Sequence, residues 1–365
     1  MSTRVLVVDD TAIFRRVITE ALRGVPGVEV AGTANNGKLA LSRIAALQPD
    51  LVTLDIEMPE MNGIEVLEAM RSGNVKAAAV MVSSLTSRGG QLTVRALELG
   101  AFDFITKPEQ GEAEQNIALV RDRLVPIIRA FERSREIRSI LGAGVRKPTT
   151  PPVPHPTHMP SVPAPRSPRR AGSPIVLIGV STGGPAALAK LLPSLPSDLG
   201  APVLIVQHMP PLFTGPLAES LSKKCTLPVR EATDGEPALP GHAYVAPGGK
   251  QMKIAPGANG EILVRVTDDP PELNCKPAVD YLFRSAALHF PGRSIAAVLT
   301  GMGNDGTEGL RLLKRSGCVS VAQDEASCVV FGMPKEAIAA GVVDTVAPLD
   351  AIGGVIARAV REGRA

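Results

Sequence analysis

Short apolar runs in the first third of this chain each end on a side chain that can do chemistry. V5-L-V-V runs into Asp9 and Asp10, L51-V-T-L into Asp55, A78-A-V-M-V into Ser83, and F102-D-F-I-T into Lys107. That pattern narrows the fold to an open parallel α/β sheet, in which the carboxyl ends of the strands meet at one crevice. Carboxylates brought together there repel one another, which raises the pKa of at least one. A hard dication relieves the repulsion, and Mg2+ shared with a phosphate suits so few carboxylates. A lysine adds a point charge for phosphate oxygens, and a small hydroxyl adds a hydrogen bond. One strand-end acid alone is ordinarily a solvated turn residue. Five such residues at four strand ends, with the turn M58-P-E-M-N-G63 behind Asp55, read as a site.

The length of 365 residues suggests two or so domains. Hydrophobic residues make up 44% of the chain, enough for globular cores, yet no apolar run reaches the ~20 residues that span a bilayer. The start, M-S-T-R before a strand, lacks a signal-peptide pattern. The expectation is a cytoplasmic protein with no direct membrane insertion. Cys225, Cys275, Cys318 and Cys328 form no Cys-x-x-Cys pair and read as reduced thiols, and the E-A-S-C-V-V setting of Cys328 offers no base.

The net charge of +3 is concentrated. Arg146, Lys147, Arg166, Arg169 and Arg170 fall in a stretch without acids, so the remainder is mildly acidic and nucleic acid is not expected as a partner. That stretch holds ten prolines between Pro148 and Pro174 and reads as an extended semi-rigid tether. His155 and His158 within it read as solvated linker residues. Ahead of it, Glu112 to Leu141 carries a helical apolar period, with Pro126 as a point of interruption or kinking.

A second site follows the tether. S173-P-I-V-L-I-G-V-S-T-G-G runs strand, glycine turn, helix, and G179-V-S-T-G183 fits the nucleophile-elbow pattern around Ser181. The next strand, A201-P-V-L-I-V-Q, ends at His208, and S294-I-A-A-V-L-T ends in a glycine-rich turn carrying Asp305. Serine, histidine and aspartate at three strand ends supply a nucleophile, a base and an orienter. Their order along the chain differs from the Ser, Asp, His order of α/β-hydrolases. The other two histidines of this half, His242 in a turn and His289 at a helix end, read as packing residues. A competing reading takes G301-M-G-N-D-G306 as a dinucleotide fingerprint with Asp324 as its ribose acid. Against it, Asp305 would face the pyrophosphate, and the motif comes late in the domain.

Residues 1 to about 120 resemble the receiver domain of two-component response regulators. The resemblance implies phosphorylation of Asp55 by a chemotaxis histidine kinase, and Mg2+ held by Asp10, Asp55 and the backbone carbonyl of Glu57, with Asp9 acting through water. It also makes Ser83 and Lys107 the grips on the phosphoryl oxygens and Phe104 the aromatic switch. Residues 175 to about 350 resemble the catalytic domain of chemotaxis protein-glutamate methylesterases, through I178-G-V-S-T-G-G, Q207-H-M, G241-H-A-Y-V-A-P-G, L299-T-G-M-G-N-D-G and E325-A-S-C-V-V-F-G-M-P. Val180 stands where alanine or serine is common, and N274-C-K-P replaces a more usual basic-proline stretch. This second resemblance implies demethylation of glutamate γ-methyl esters, and deamidation of selected glutamines, on the cytoplasmic helices of methyl-accepting chemoreceptors. It implies catalysis by Ser181, His208 and Asp305, with Met302 and Thr182 at the oxyanion and no cofactor in this half.

The expected architecture is α/β throughout. A flavodoxin-like receiver with a five-stranded parallel sheet occupies 1–122, a helical extension and the Pro-rich linker 123–174, and the catalytic domain 175–365. The last is expected to be a three-layer α/β/α unit with a mostly parallel sheet. Segments Ala243–Ala246, Met252–Ile254 and Ile262–Val266 are predicted to form its antiparallel hairpin region.

Overall fold

A computed structural model of the chain describes residues 2–108, 110–143 and 172–363, the last six residues of the middle segment as backbone only. The tether with His155 and His158 lies outside the described residues. The first half alternates strands and helices: β1 (Thr3–Val8), α1 (Ala12–Leu22), β2 (Val28–Ala34), α2 (Gly37–Leu47), β3 (Leu51–Asp55), α3 (Gly63–Ser72), β4 (Ala78–Ser83), α4 (Ser87–Glu98), β5 (Asp103–Thr106) and α5 (Ala113–Ala143). The strands form one parallel sheet in the order β2-β1-β3-β4-β5. Helices cover both faces, so β3 is buried at every residue, as its unbroken apolar run requires. Polar side chains start the helices: Asn36 accepts from the Leu39 N–H at 2.8 Å, and Asn62 and Glu65 form a reciprocal capping box. α5 runs through Pro126 without a break and buries Leu124 and Ile128 in the receiver core beside Ile18 of α1.

The second half contains β6 (Ile175–Val180), α6 (Gly184–Leu191), β7 (Val203–Gln207), α7 (Thr214–Ser222), β8 (Val229–Glu231), β9 (Ala243–Val245), β10 (Gln251–Pro256), β11 (Ile262–Thr267), α8 (Val279–His289), β12 (Ser294–Val298), α9 (Thr307–Arg315), β13 (Val319–Gln323), α10 (Met333–Ala339), β14 (Thr345–Ala347) and α11 (Leu349–Glu362). Seven strands make a sheet in the order β14-β13-β12-β6-β7-β9-β8, with every named pairing parallel. β10 and β11 form a separate antiparallel hairpin. The expected hairpin region is thus right for its last two segments and wrong for the first. Ala243–Val245 is buried at each residue and pairs in parallel with β7 and β8, so alternation misread a strand covered on both faces.

This strand order sets the site. The chain enters the sheet at β6, fills one side through β7, β8 and β9, then crosses to β12, β13 and β14 on the other. The order reverses between β6 and β12, where open α/β sheets form their binding crevice. The two halves also touch: α4 lies against α6 and α7, and one apolar cluster runs from Val94 and Leu97 into Leu188 and Leu217. Among the described residues, no helix is long and apolar enough to cross a membrane.

Candidate active site

The four strand ends of the receiver sheet converge as their sequence spacing implies. Carboxylate oxygens of Asp9, Asp10 and Asp55 lie within 4.8 Å of one another, with Asp9 and Asp55 buried and Asp10 exposed. Lys107 Nζ stands 2.8 Å from Asp9 Oδ2 and 2.8 Å from Asp55 Oδ2. Burial first, and then the neighbouring Asp9, push the Asp55 carboxyl up to about 7 against the pull of Lys107. One ammonium, shared between Asp9 Oδ2 and Asp55 Oδ2, does not neutralise the cluster. An all-oxygen donor set with surplus negative charge fits a hard divalent cation. The Glu57 N–H points at Asp55 Oδ1 at 3.4 Å, which brings the Glu57 backbone to the rim of the cluster.

Ser83 is turned toward α4. Its hydroxyl lies 2.8 Å from Thr93 Oγ1 and 3.4 Å from the Gly89 carbonyl. Phe104 stacks on Phe213 of the second half, with ring centroids 4.8 Å apart and planes tilted by 31°.

In the second half, Ser181 is the first residue beyond β6. Its N–H donates to the Thr300 carbonyl at 3.0 Å, which ties it to the end of β12. Gly183 turns the chain into α6 with φ of 78°. A methyl at Gly301 would meet Met333 Sδ at 2.4 Å and Ser181 Cβ at 2.8 Å, so the glycine after β12 leaves the room that the serine occupies, while a methyl at Gly183 would run into Val329 at 2.5 Å. His208 follows β7, and its Nε2 lies 2.7 Å from Asp305 Oδ2. Asp305, only 2% exposed, also accepts the N–H groups of Val279 at 2.7 Å and Asp280 at 2.8 Å, where α8 begins. Burial works against its charge, but His208 and these amides hold the carboxyl below its usual range. Burial also opposes a charged His208 ring; Asp305 and the Cys275 sulfur outweigh it and push the ring up to about 9.

The other ring nitrogen, Nδ1, faces Cys275 Sγ at 3.7 Å. Among the described residues no hydrogen bond joins Ser181 Oγ to His208. Gln207 clamps the pair from below: its Nε2 donates to the Ser181 carbonyl at 3.0 Å and the His208 carbonyl at 3.3 Å.

A cavity of about 340 Å³ opens over Ser181, and its walls come from both halves. Ser181, His208 and Met302 face Phe104, Ile105 and Arg123 of the receiver across it. Thr182 Oγ1 donates to Asp103 Oδ2 at 2.6 Å, so the residue after the serine is held by the receiver's own β5. Glu98 at the end of α4 accepts from Ser220 at 2.7 Å and pairs with Lys224 at 2.6 Å.

The structure thus brings Ser181, His208 and Asp305 to one crevice, with Thr182 and Met302 beside it, and Asp9, Asp10, Asp55 and Lys107 to the other. Cys328 is buried near Asp324 and Glu325, which pushes its thiol far up, away from any nucleophilic form. Asp324 accepts from the Ser327 N–H at 3.0 Å, a local turn rather than a ribose-facing position. The contacts of Asp103 with Thr182, Gln207 with Ser181 and Cys275 with His208 have no local sequence signal, because each joins residues far apart in the chain.

A family model described as CheB methylesterase matches residues 176–356, and one described as response regulator receiver domain matches residues 5–118. The chain is 50% identical over 363 residues to a protein-glutamate methylesterase/protein-glutamine glutaminase of Desulfotalea psychrophila, covering 98% of each chain. It is 44% identical over 361 residues to one of Geobacillus kaustophilus, covering 98% of this chain and 99% of that one. Among solved structures, the Thermotoga maritima CheB methylesterase catalytic domain aligns with a TM-score of 0.51 at 41% identity, over 52% of this chain and all of that one. Full-length relatives and both domain matches give one answer: the chain belongs to the protein-glutamate methylesterase/protein-glutamine glutaminase family, with a response regulator receiver ahead of its catalytic domain.

Proposed function

We propose that this chain is a phosphorylation-gated hydrolase of the cytoplasm, which demethylates γ-glutamyl methyl esters and deamidates selected glutamines on chemoreceptor helices. The observation that carries this reading is the pairing of Ser181, His208 and Asp305 at one crevice with a receiver face across its mouth.

Ser181 is the nucleophile and His208 its base. Because Asp305 already takes Nε2, the nitrogen left for the serine proton is Nδ1, the reverse of the familiar serine-protease ring orientation. Asp305 fixes that tautomer and stabilises the charged ring. The Ser181 oxygen attacks the ester carbonyl, and methanol leaves with the proton returned by His208. Water activated by the same base then frees the glutamate. With a glutamine side chain, ammonia leaves instead. The Met302 N–H, at the glycine turn after β12, stabilises the oxyanion, and Thr182 helps to position it.

Gating follows from the docked receiver. Thr182 is tied to Asp103 and the cavity is walled by Phe104 and Ile105, so a bulky receptor helix has no approach to Ser181. Asp55 is the acceptor of a phosphoryl group from a chemotaxis histidine kinase. Asp10, Asp55 and the Glu57 carbonyl, with Asp9 behind, would hold Mg2+, which supplies charge neutralisation for the incoming phosphate. Ser83 and Lys107 would then grip the phosphoryl oxygens and draw α4 and Phe104 away from their docked contacts.

The deciding experiment measures methanol release from methylated receptor membranes with and without a small phosphodonor. Release that depends on Ser181 and rises with phosphodonor supports the reading; no release from either sample overturns it.

A further inference from the structure

We propose that Cys275 and His208 form a binding site for a thiophilic divalent cation, Zn2+, and that zinc bound there inhibits the esterase by occupying Nδ1 of the base. The inhibitory half of this proposal rests on His208 acting as the base; the binding half does not.

Three features make the pair a site. Sγ and Nδ1 lie 3.7 Å apart. A tetrahedral zinc with a thiolate at about 2.3 Å and an imidazole nitrogen at about 2.0 Å holds the two ligand atoms roughly 3.5 Å apart, so little movement is needed to admit the ion. On the far side of the ring, Nε2 is already bonded to Asp305, which is itself fixed by the Val279 and Asp280 amides. A carboxylate behind a histidine is the usual support of a zinc-bound imidazole, because it sets the tautomer and leaves the other nitrogen free to coordinate. Donor atoms of His208, Cys275 and Asp305 all lie within 4.8 Å of one another. Asp305 Oδ2 already accepts from Nε2 and from the Val279 N–H, so the carboxylate acts as the support and water completes the shell.

The thiol is also held in place. Glu272 and Cys275 exchange backbone hydrogen bonds of 3.0 and 2.7 Å around a two-residue turn. Leu273 and Asn274 occupy that turn with φ of 49° and 62°, both left-handed. Gln251 donates to the Cys275 carbonyl at 3.4 Å, and Arg284 anchors Glu272. The neighbouring Lys276 ammonium is turned away onto Asp268 at 3.0 Å. Cys275 remains partly exposed on this outer turn, so an ion can reach it from solvent. Soft sulfur and borderline imidazole select zinc over the Mg2+ that suits the receiver carboxylates.

The test uses the full chain, freed of metal by a chelator and returned to excess Mg2+ so that Asp9, Asp10 and Asp55 are not the zinc target. Zinc chloride is titrated while methanol release is followed, each protein being compared with its own zinc-free rate. Half-inhibition of Cys275→Ala and Cys275→Ser should need at least about tenfold more zinc than the unaltered chain, since losing even an outer-shell partner of a ligand typically costs about that much. A His155→Ala/His158→Ala chain should be inhibited like the unaltered one. Independently of activity, zinc should slow iodoacetamide alkylation of Cys275, read by peptide mass, and leave Cys225 unprotected. That protection should vanish in His208→Gln and His208→Asn. Equal inhibition of the unaltered and Cys275 chains, or no protection of Cys275, overturns the proposal. Protection without inhibition keeps the metal site and removes His208 from its role as base.

Discussion

Asp305 accepts three hydrogen bonds, and only one comes from His208. Asp305→Asn keeps the shape but presents an amide where the ring needs an acceptor, so the wrong tautomer is favoured. Turnover should fall by up to ~10⁴-fold with the fold intact, the size of the matching change in a serine protease, measured as methanol release beside a thermal melt. A full-rate variant would remove Asp305 from the mechanism. A second residue-scale effect belongs to Asp103, whose carboxyl burial pushes up to about 6 from an ordinary 3.8, against the Thr182 hydroxyl and the Phe104 N–H. A carboxyl raised by docking adds docking stability that is complete below its free pKa and is lost as pH rises through the docked value. The receiver should therefore hold the crevice more tightly at pH 5 than at pH 7. The ratio of full-chain to isolated catalytic-half turnover cancels the titration of His208 itself. That ratio should fall on acidification in the unaltered chain and stay low and flat in Asp103→Asn. A pH-independent ratio in the unaltered chain would contradict this. Strand-end chemistry was legible in the sequence, since Ser181, His208, Asp305 and Asp55 each follow an apolar run. Asp103 was not, because it lies inside such a run and gains its meaning from a hydroxyl 79 positions away.

At the scale of elements, α4 is the part of the receiver that touches the catalytic half most intimately. A Cβ on Gly90 would stand 2.3 Å from the Leu212 carbonyl oxygen, closer than any packed pair allows. Within α4 itself, alanine is favoured over glycine by up to about 1 kcal/mol. Gly90→Ala should thus leave the receiver at least as stable while it wedges the halves apart. Basal methanol release should rise several-fold and stimulation by phosphodonor should shrink in proportion. An unchanged basal rate would mean that α4 does not hold the crevice shut. Gly89 is the contrasting position: a methyl there meets the Ser84 carbonyl at 2.4 Å inside the receiver, so damage is local. The sheets themselves were readable, because runs buried on both faces leave few alternatives to parallel pairing. β9 was misread for a related reason. Three buried residues carry no period, and the turns around them look the same beside a hairpin or a parallel strand.

Across the whole molecule, the route from Asp55 to Ser181 is short and made of particular contacts. Ser83 bonds to Thr93 and Gly89 of α4, Gly90 abuts Leu212, and Phe104 stacks on Phe213. On the proposed gating, a phosphoryl group on Asp55 would compete for Lys107 and for the Ser83 hydroxyl, and the latter now bonds to α4. Converting a mostly closed population into a mostly open one, from 1:99 to 99:1, needs about 5.5 kcal/mol of differential binding. Loss of the Asp103–Thr182 bond, the Glu98–Lys224 pair and the aromatic stack is of that order only if they are lost together. Opening should therefore be cooperative. Asp55→Asn removes the acceptor and relieves the repulsion with Asp9, so the closed form should persist, with basal turnover spared and phosphodonor stimulation abolished. Deleting residues 1 to 145 should free the crevice permanently, giving a rate at or above that of the phosphorylated chain with no further response. If the deleted chain is no faster than the unphosphorylated one, the receiver is not what limits access to Ser181. If Asp55→Asn is still stimulated, the phosphate acts at another residue.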